Sequence, residues 1–154
     1  MGALPIGGMR MRRTLQILLL ALFALSSVTA LAADQKITKK QRRELEETQV
    51  KYDSTLRWGT VEDMLPYLDP EYTRVHPLTD LELRRFEQVK ISSYRAGDNV
   101  PMPDGRVGRN AEVRVINNNT QAERLVRVKE IWRWDAQGKR WLQANGLPDL
   151  WQES

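Results

Sequence analysis

The chain of 154 residues contains no cysteine and only one histidine, and both shortages restrict its chemistry. Without cysteine there can be no disulfide, and no lipid can be attached at a lipobox cysteine. A structural zinc site normally takes four ligands drawn mostly from cysteine and histidine, so the sequence predicts no such site. The stability of the protein must therefore come from a conventional apolar core.

Several common signatures of catalytic and nucleotide-binding sites are also missing. The sequence has no G-x-S-x-G around a serine nucleophile, no G-x-G-x-x-G and no P-loop. It has no D-x-D-x-D-G calcium loop either. We therefore predict that the protein has neither a cofactor nor a metal ion. The sequence favours a non-catalytic protein over an enzyme but leaves catalysis open.

The N-terminal segment has the three-part composition of a secretory signal peptide. Arg10, Arg12 and Arg13 precede the apolar run 15–25, and Ala-Leu-Ala at 30–32 fits the small-residue rule for signal peptidase. That run is shorter than the roughly 20 apolar residues that a membrane-spanning helix needs. The pattern therefore predicts a cleavable signal peptide.

This prediction sets the expected domain organisation and location. A signal peptide at 1–32 would leave one domain at 33–154, located in the periplasm or secreted, with no stable membrane span after cleavage. The alternative is a protein anchored in the inner membrane through an uncleaved segment at 15–33. The single domain is long enough to bury a core.

The net charge of +4 overstates the basic character of the predicted mature domain. Three basic residues belong to the signal, so 21 basic residues face 20 acidic residues after cleavage. Nucleic-acid binding usually needs a broad basic face. We therefore expect no nucleic-acid partner.

The first half of the predicted domain has helical periodicity. Apolar and uncharged residues recur every three or four positions through 34–57, which predicts a long helix ending at Gly59. Thr60 and Thr79 each fit a helix N-cap, with an acidic residue three positions later, so two short helices are expected. The stretch between them, at 68–77, is predicted to be irregular.

The second half alternates apolar and polar residues, which is typical of strands. Four strands are predicted at about 86–95, 111–115, 124–134 and 139–144, with 101–110 as a loop. Short turns between them imply an antiparallel meander. The predicted fold class is α+β, with a long N-terminal helix and two short helices packed on a curved four-stranded antiparallel sheet.

This order of elements, with the closing stretch WRWDAQGKRWLQ at 132–143 and DPEYTRVHPLTD at 69–80, resembles the nuclear transport factor 2-like cone fold of exported bacterial domains. The resemblance implies a long helix lying across a concave sheet and a pocket at the mouth of the cone. Enzymes, ligand-binding proteins and assembly modules all share this fold, so the resemblance does not determine an activity.

His76 is the best acid–base candidate, because histidine titrates near physiological pH. Asp69 and Asp80 are close to it in sequence and are the weak candidates for its partner. The resemblance to polyketide cyclases and scytalone dehydratase, which use a pocket histidine with an aspartate, implies an alternative function as a small lyase or isomerase with His76 as general base. Pro77 directly follows the histidine, however, so a surface or structural role is favoured.

The five tryptophans are the strongest remaining signal, because each can bury on the order of 200 Å². The favoured interpretation of Trp132, Trp134 and Trp141 is an interface between sheet and helix. The candidate surface for a small apolar ligand or an envelope partner protein comprises Tyr52, Trp58, Trp132, Trp134 and Trp141. The outer sheet face, with its arginines, is the candidate surface for a homodimer.

Overall fold

The computed structural model describes residues 36–151 of the chain, together with Gly2. The predicted signal peptide and the boundaries of the predicted domain lie outside the described residues. Within 36–151 the helices are α1 (Lys39–Trp58), α2 (Val61–Met64), α3 (Pro70–Val75) and α4 (Asp80–Glu87), with a 3₁₀ turn at Leu65–Tyr67. The strands are β1 (Val89–Ala96), β2 (Val100–Pro101), β3 (Val107–Asn117), β4 (Glu123–Asp135) and β5 (Arg140–Gln143). In this part of the chain no helix is both long and apolar enough to cross a membrane.

The long helix α1 begins later than the sequence predicts because a capping box fixes its first turn. The backbone N–H of Gln41 donates to Thr38 Oγ1 at 3.1 Å, and the Gln41 side chain accepts from the Thr38 N–H at 2.9 Å. Residues 36–38 are therefore not helical. The helix ends before Gly59, as predicted.

The two predicted short helices are confirmed, and a third was missed. Thr60 and Thr79 cap α2 and α4 through capping boxes with Asp63 and Glu82. The prediction that 68–77 is irregular was wrong, because α3 forms there. Asp69 caps α3 by accepting from the Glu71 N–H, and proline follows at the first helical position, where its missing N–H costs nothing.

The strands form one curled antiparallel sheet in the order β1-β3-β4-β5, with the short β2 also paired to β3. This confirms the predicted α+β class with a curved sheet of four main strands. The prediction of a loop at 101–110 was wrong for the second half of that range. Val107 pairs with Trp132 and Asn110 pairs with Lys129, so the register with β4 extends β3 back to Val107.

The inward face of the sheet packs on α1 to form the core. α1 contributes Leu45, Tyr52 and Leu56 to it. The sheet contributes alternate residues of its central strands, namely Val107, Ala111, Val113, Val115, Val126, Val128 and Trp132. The C-terminal segment closes over this core, since Leu150 is buried and the Trp151 indole donates to the Arg85 carbonyl at 2.8 Å.

Candidate functional site

A charged cluster lies on the inward face of the sheet, where apolar residues are expected. Arg109 of β3 and Glu130 of β4 are directly opposite each other in the ladder, and their side chains are only 6% and 1% exposed. Arg109 Nε donates to Glu130 Oε2 at 2.6 Å, and Arg109 Nη2 donates to Asp53 Oδ1 of α1 at 2.5 Å. One guanidinium therefore joins both central strands to the long helix.

Two aromatic residues complete this set, which is named the Arg109 cluster and comprises Asp53, Tyr94, Arg109, Glu130 and Trp132. The Tyr94 hydroxyl donates to Glu130 Oε1 and accepts from Arg109 Nη2 at 3.0 Å. Trp132 Nε1 donates to Glu130 Oε2 at 3.0 Å. Glu130 thus accepts three hydrogen bonds, which offsets much of the cost of burying its charge.

The electrostatics of the Arg109 cluster keep its hydrogen-bond roles fixed. Burial raises the pKa of Asp53, and the charge and hydrogen bond of Arg109 oppose this only in part. Burial and the charge of Glu130 raise the pKa of Tyr94, so its hydroxyl remains a donor. Burial alone would lower the pKa of Arg109, but the hydrogen bond and charge of Glu130, with smaller contributions from Tyr94 and Asp53, together outweigh burial and raise this pKa.

Tyr52, beside the cluster, differs because its hydroxyl is buried without a hydrogen-bond partner. Its ring packs edge-to-face on Trp132 and on Tyr67, at centroid distances of 5.1 and 5.7 Å. Burial, followed by the charge of Glu130, raises the pKa of its hydroxyl. The interior around the Arg109 cluster is therefore a packed core.

An open groove of about 730 Å³ lies elsewhere, beside β1, and is named the β1 groove. It is bounded by the end of α1, by α2, by the end of α4 and by β1. Its apolar lining comprises Leu56, Trp58, Val61, Phe86, Val89, Ile91, Ile116 and Leu150. Its charged lining comprises Arg57, Glu62, Glu87 and Lys90.

Trp58 and Arg57 give the β1 groove an aromatic and cationic rim. The Trp58 side chain is 74% exposed, although tryptophan is usually much more buried. The Arg57 guanidinium carbon lies 4.9 Å from the centroid of the Trp58 ring. Arg57 Nε is buried and makes no hydrogen bond, so this cation retains an unsatisfied donor.

The predicted aromatic surface is divided between the core and the groove. Trp132, Trp141 and Tyr52 are almost fully buried, and Trp134 packs edge-to-face on Trp141 at 5.6 Å. Trp132 packs on Tyr52 of α1, and the Trp141 indole donates to the Gln41 carbonyl of α1 at 2.8 Å, so both tryptophans lie between the sheet and the helix. Trp58 is the one member of the predicted set that lines the β1 groove.

The predicted acid–base residues occupy three separate environments. Asp69 is buried and accepts two hydrogen bonds from Arg133, at 2.7 and 2.8 Å. The Arg133 bonds, with a smaller contribution from the Glu71 N–H, lower the pKa of Asp69 against the effect of burial. His76 is exposed and stacks on Tyr72 at 4.4 Å, and Asp80 is exposed in the first turn of α4.

Within 36–151, no hydrogen bond or ion pair joins His76 to a carboxylate. The described hydrogen bond of its ring is to the Tyr72 carbonyl at 3.3 Å. The residue does border a shallow opening of about 220 Å³. The general-base role therefore stays a prediction without a positioned partner.

The outer sheet face, predicted as a surface for a homodimer, carries a further opening of about 570 Å³. Arg95, Arg127 and Lys129 line it together with Glu112, which pairs with Arg127 at 3.5 Å. Exposed pairs of this kind contribute little stability and leave the face polar. The homodimer stays a prediction.

None of the charged members of the Arg109 cluster was predicted from the sequence. A signal for Glu130 exists, because it lies between Val128 and Trp132 in the alternation that places both inward. Arg109 was hidden by the assignment of 101–110 to a loop.

Comparisons with known proteins do not identify this chain. No protein-family model, no curated protein and no solved structure matches it. The resemblance to the nuclear transport factor 2-like fold therefore stays a prediction.

Proposed function

We propose that the protein is an exported, non-catalytic binding domain. The β1 groove is its binding site for a small apolar ligand or for an apolar part of an envelope partner protein. The observation that carries this proposal is the exposed Trp58 at the rim of an apolar-lined groove of about 730 Å³. Concave apolar sites with a few polar groups are the usual form of a ligand site. Tryptophan is also enriched among the residues that dominate binding energy.

The state of the titratable groups supports a binding role over catalysis. The carboxylates and the hydroxyl of the Arg109 cluster already bond to one another in the core. Asp69 is likewise occupied by Arg133. A general acid or base must be within reach of a substrate atom, and these groups are committed to structural bonds.

Export is the second part of the proposal and depends on the composition of residues 10–32. It is tested by sequencing the N-terminus of the protein recovered from the periplasm or medium of cells that express the full chain. A first residue at Ala33 supports cleavage after 32. A retained N-terminal segment with the protein in the membrane fraction would support the anchored alternative.

The groove is tested with the apolar dye 8-anilinonaphthalene-1-sulfonate and the exported protein. We expect dye fluorescence to rise on binding, and Trp58→Ala to weaken dye binding about fivefold, the loss of about 1 kcal/mol that an aromatic anchor supplies. The control is Val50→Ala, which truncates an apolar side chain that is 69% exposed on α1 but does not line the groove. The free energy of unfolding of each variant should lie within about 0.5 kcal/mol of the wild-type value, because both residues are exposed.

Two results would contradict the proposed site. One is an absence of dye binding to the folded wild type. The other is equal dye affinity in the Trp58→Ala and Val50→Ala variants, which would place the dye elsewhere on the protein.

A further inference from the structure

We infer that the occupant of the β1 groove is an extended peptide segment of a partner protein, which adds to the sheet as a strand beside β1. This inference rests on the proposed function, because it names what the groove binds. Addition of a strand to an open sheet edge is a common mode of peptide recognition, in which main-chain hydrogen bonds supply affinity and side-chain contacts supply specificity.

The two edges of the sheet differ in how much of their backbone is already used. β1 has eight residues and pairs with β3 on one side, and within 36–151 no strand pairs with its other side. β5 has four residues, and its Gln143 is bridged to Leu68 and accepts from the Asp69 N–H at 3.0 Å. The long edge of the sheet is therefore the unpaired one.

The direction of the backbone groups of β1 follows from the ladder. The Asn118 N–H donates to the Gln88 carbonyl at 2.9 Å, so Gln88 faces β3. Because antiparallel strands alternate the direction of their hydrogen-bonding groups, Lys90 also faces β3. The N–H and C=O groups of Val89 and Ile91 therefore point away from the sheet.

These outward groups belong to residues that also line the β1 groove. Val89 and Ile91 both border it, so unpaired backbone donors and acceptors lie next to an apolar depression. A peptide that paired with β1 would place alternate side chains over that depression. A compact apolar molecule would fill the same space but leave these main-chain groups without protein partners.

Charge on the groove narrows the chemistry of the peptide. The charged lining of the groove is two cations, Arg57 and the exposed Lys90, and two acids, Glu62 and Glu87, and among these Arg57 has an Nε that makes no hydrogen bond. A carboxylate is the natural acceptor for an unsatisfied guanidinium donor. The inferred partner segment is thus extended, apolar at alternate positions and acidic at one.

The inference is tested with an acetylated and amidated seven-residue peptide that has threonine at the odd positions, valine at positions 2 and 6 and glutamate at position 4, so that the glutamate and the valines share one face. Backbone amide exchange of the exported protein is followed by NMR with and without the peptide. We expect exchange to slow about tenfold or more at Val89 and Ile91, because their N–H groups gain acceptors. Lys90 is the internal control, since its N–H already faces β3.

Matched peptides test the main chain and the charge separately. Two further peptides of the same sequence carry N-methyl groups, one on each set of alternate amides. We expect one of them to bind about tenfold more weakly than the unmodified peptide, since the methylated amides cannot donate to β1. Replacing the central glutamate of the peptide with glutamine should weaken its binding to the wild-type protein about threefold. The same replacement should not change binding to the Arg57→Gln variant, which lacks the cation.

The outcomes separate this inference from the proposed function. If the dye binds at Trp58 but the peptide leaves the exchange of Val89 and Ile91 unchanged, the groove stands and the peptide inference is overturned in favour of a small apolar ligand. If neither dye nor peptide binds, both proposals fail. If the protein alone is a dimer whose contacts already protect Val89 and Ile91, the occupant is a second copy and the peptide inference is overturned.

Discussion

Two regions of the same sheet treat polar groups in opposite ways. In the Arg109 cluster, the described hydrogen bonds include those between Arg109 and Glu130, whose side chains are 6% and 1% exposed, and Glu130 alone accepts three bonds. At the β1 groove, Arg57 keeps an unsatisfied donor and Trp58 lies largely in solvent. The hydrogen bonds of the Arg109 cluster fix the position of α1 on the sheet. At the β1 groove, the Arg57 donor and the Trp58 ring have no such hydrogen bonds to other elements among the described residues.

This contrast shows why the charged residues of the cluster are not good candidates for function. Removing one partner of a buried ion pair leaves the other charge buried and uncompensated. The fold therefore needs both partners for its stability. At the β1 groove, Trp58 lies largely in solvent and costs the fold little, whereas the buried Arg57 Nε is a donor without a partner among the described residues. The contrast makes predictions that start with the largest effect.

Arg109→Met should cause the largest loss of stability. It keeps most of the side-chain volume but leaves Glu130 and Asp53 without their cation, and the free energy of unfolding should fall by about 3–5 kcal/mol. Urea denaturation measures this directly. The matched control is Arg114→Met, which removes an exposed pair with Glu123 and should cost less than about 0.5 kcal/mol. Equal losses in the two variants would remove the distinction between buried and exposed charge.

Loss of the hydroxyl should change stability in opposite directions at the partly buried Tyr94 and the fully buried Tyr52. Tyr94→Phe removes a donor to Glu130 and should cost about 2 kcal/mol. Tyr52→Phe removes a buried hydroxyl that has no partner and should increase stability by about 1 kcal/mol. Denaturation of both variants under one condition gives the comparison. A loss in Tyr52→Phe would mean that its hydroxyl is hydrogen-bonded in solution.

The dependence of stability on pH should differ between Asp53 and Asp69. The folded pKa of Asp53 is raised from 3.8, so the folded state binds a proton on Asp53 more tightly than the unfolded state does. The protonated carboxyl therefore stabilises the fold at low pH, and this stabilisation is lost as pH rises from about 4 through the raised pKa. The folded pKa of Asp69 is lowered from 3.8, so its contribution is present above about pH 4 and is lost as pH falls through the lowered pKa.

Denaturation of the wild type, Asp53→Asn and Asp69→Asn between about pH 3 and pH 7 measures these two slopes. Asp53→Asn should remove a decline of stability above pH 4, and Asp69→Asn should remove a decline below pH 4. At Asp53, the charge and hydrogen bond of Arg109 oppose the effect of burial and so limit this slope. Identical pH profiles for both variants and the wild type would contradict the assignment.

The local signals in the sequence predicted most of the secondary structure. Thr60 and Thr79 mark the starts of α2 and α4 because their capping boxes are local in the chain. The alternation through β4 correctly placed Val126, Val128 and Trp132 inward. Asp69 and Pro70 carried a similar local signal for α3, which was overlooked.

The Arg109 cluster could not be predicted in the same way, because it depends on contacts between distant segments. Asp53 and Arg109 are 56 positions apart, and Tyr94 and Glu130 are 36 apart. Which residues meet is set by the register of β3 with β4 and by the placement of α1. The β1 groove depends in the same way on where α2, α4 and β1 come together.

The unequal edges of the sheet also limit the size of any assembly that uses them. A sheet that is open at both edges can add copies indefinitely, whereas one with a single usable edge stops after one addition. Here β1 offers eight residues, while β5 offers four and is already bridged by Leu68. Pairing of two copies through β1 would therefore close a dimer, because β5 offers no comparable edge for a further copy.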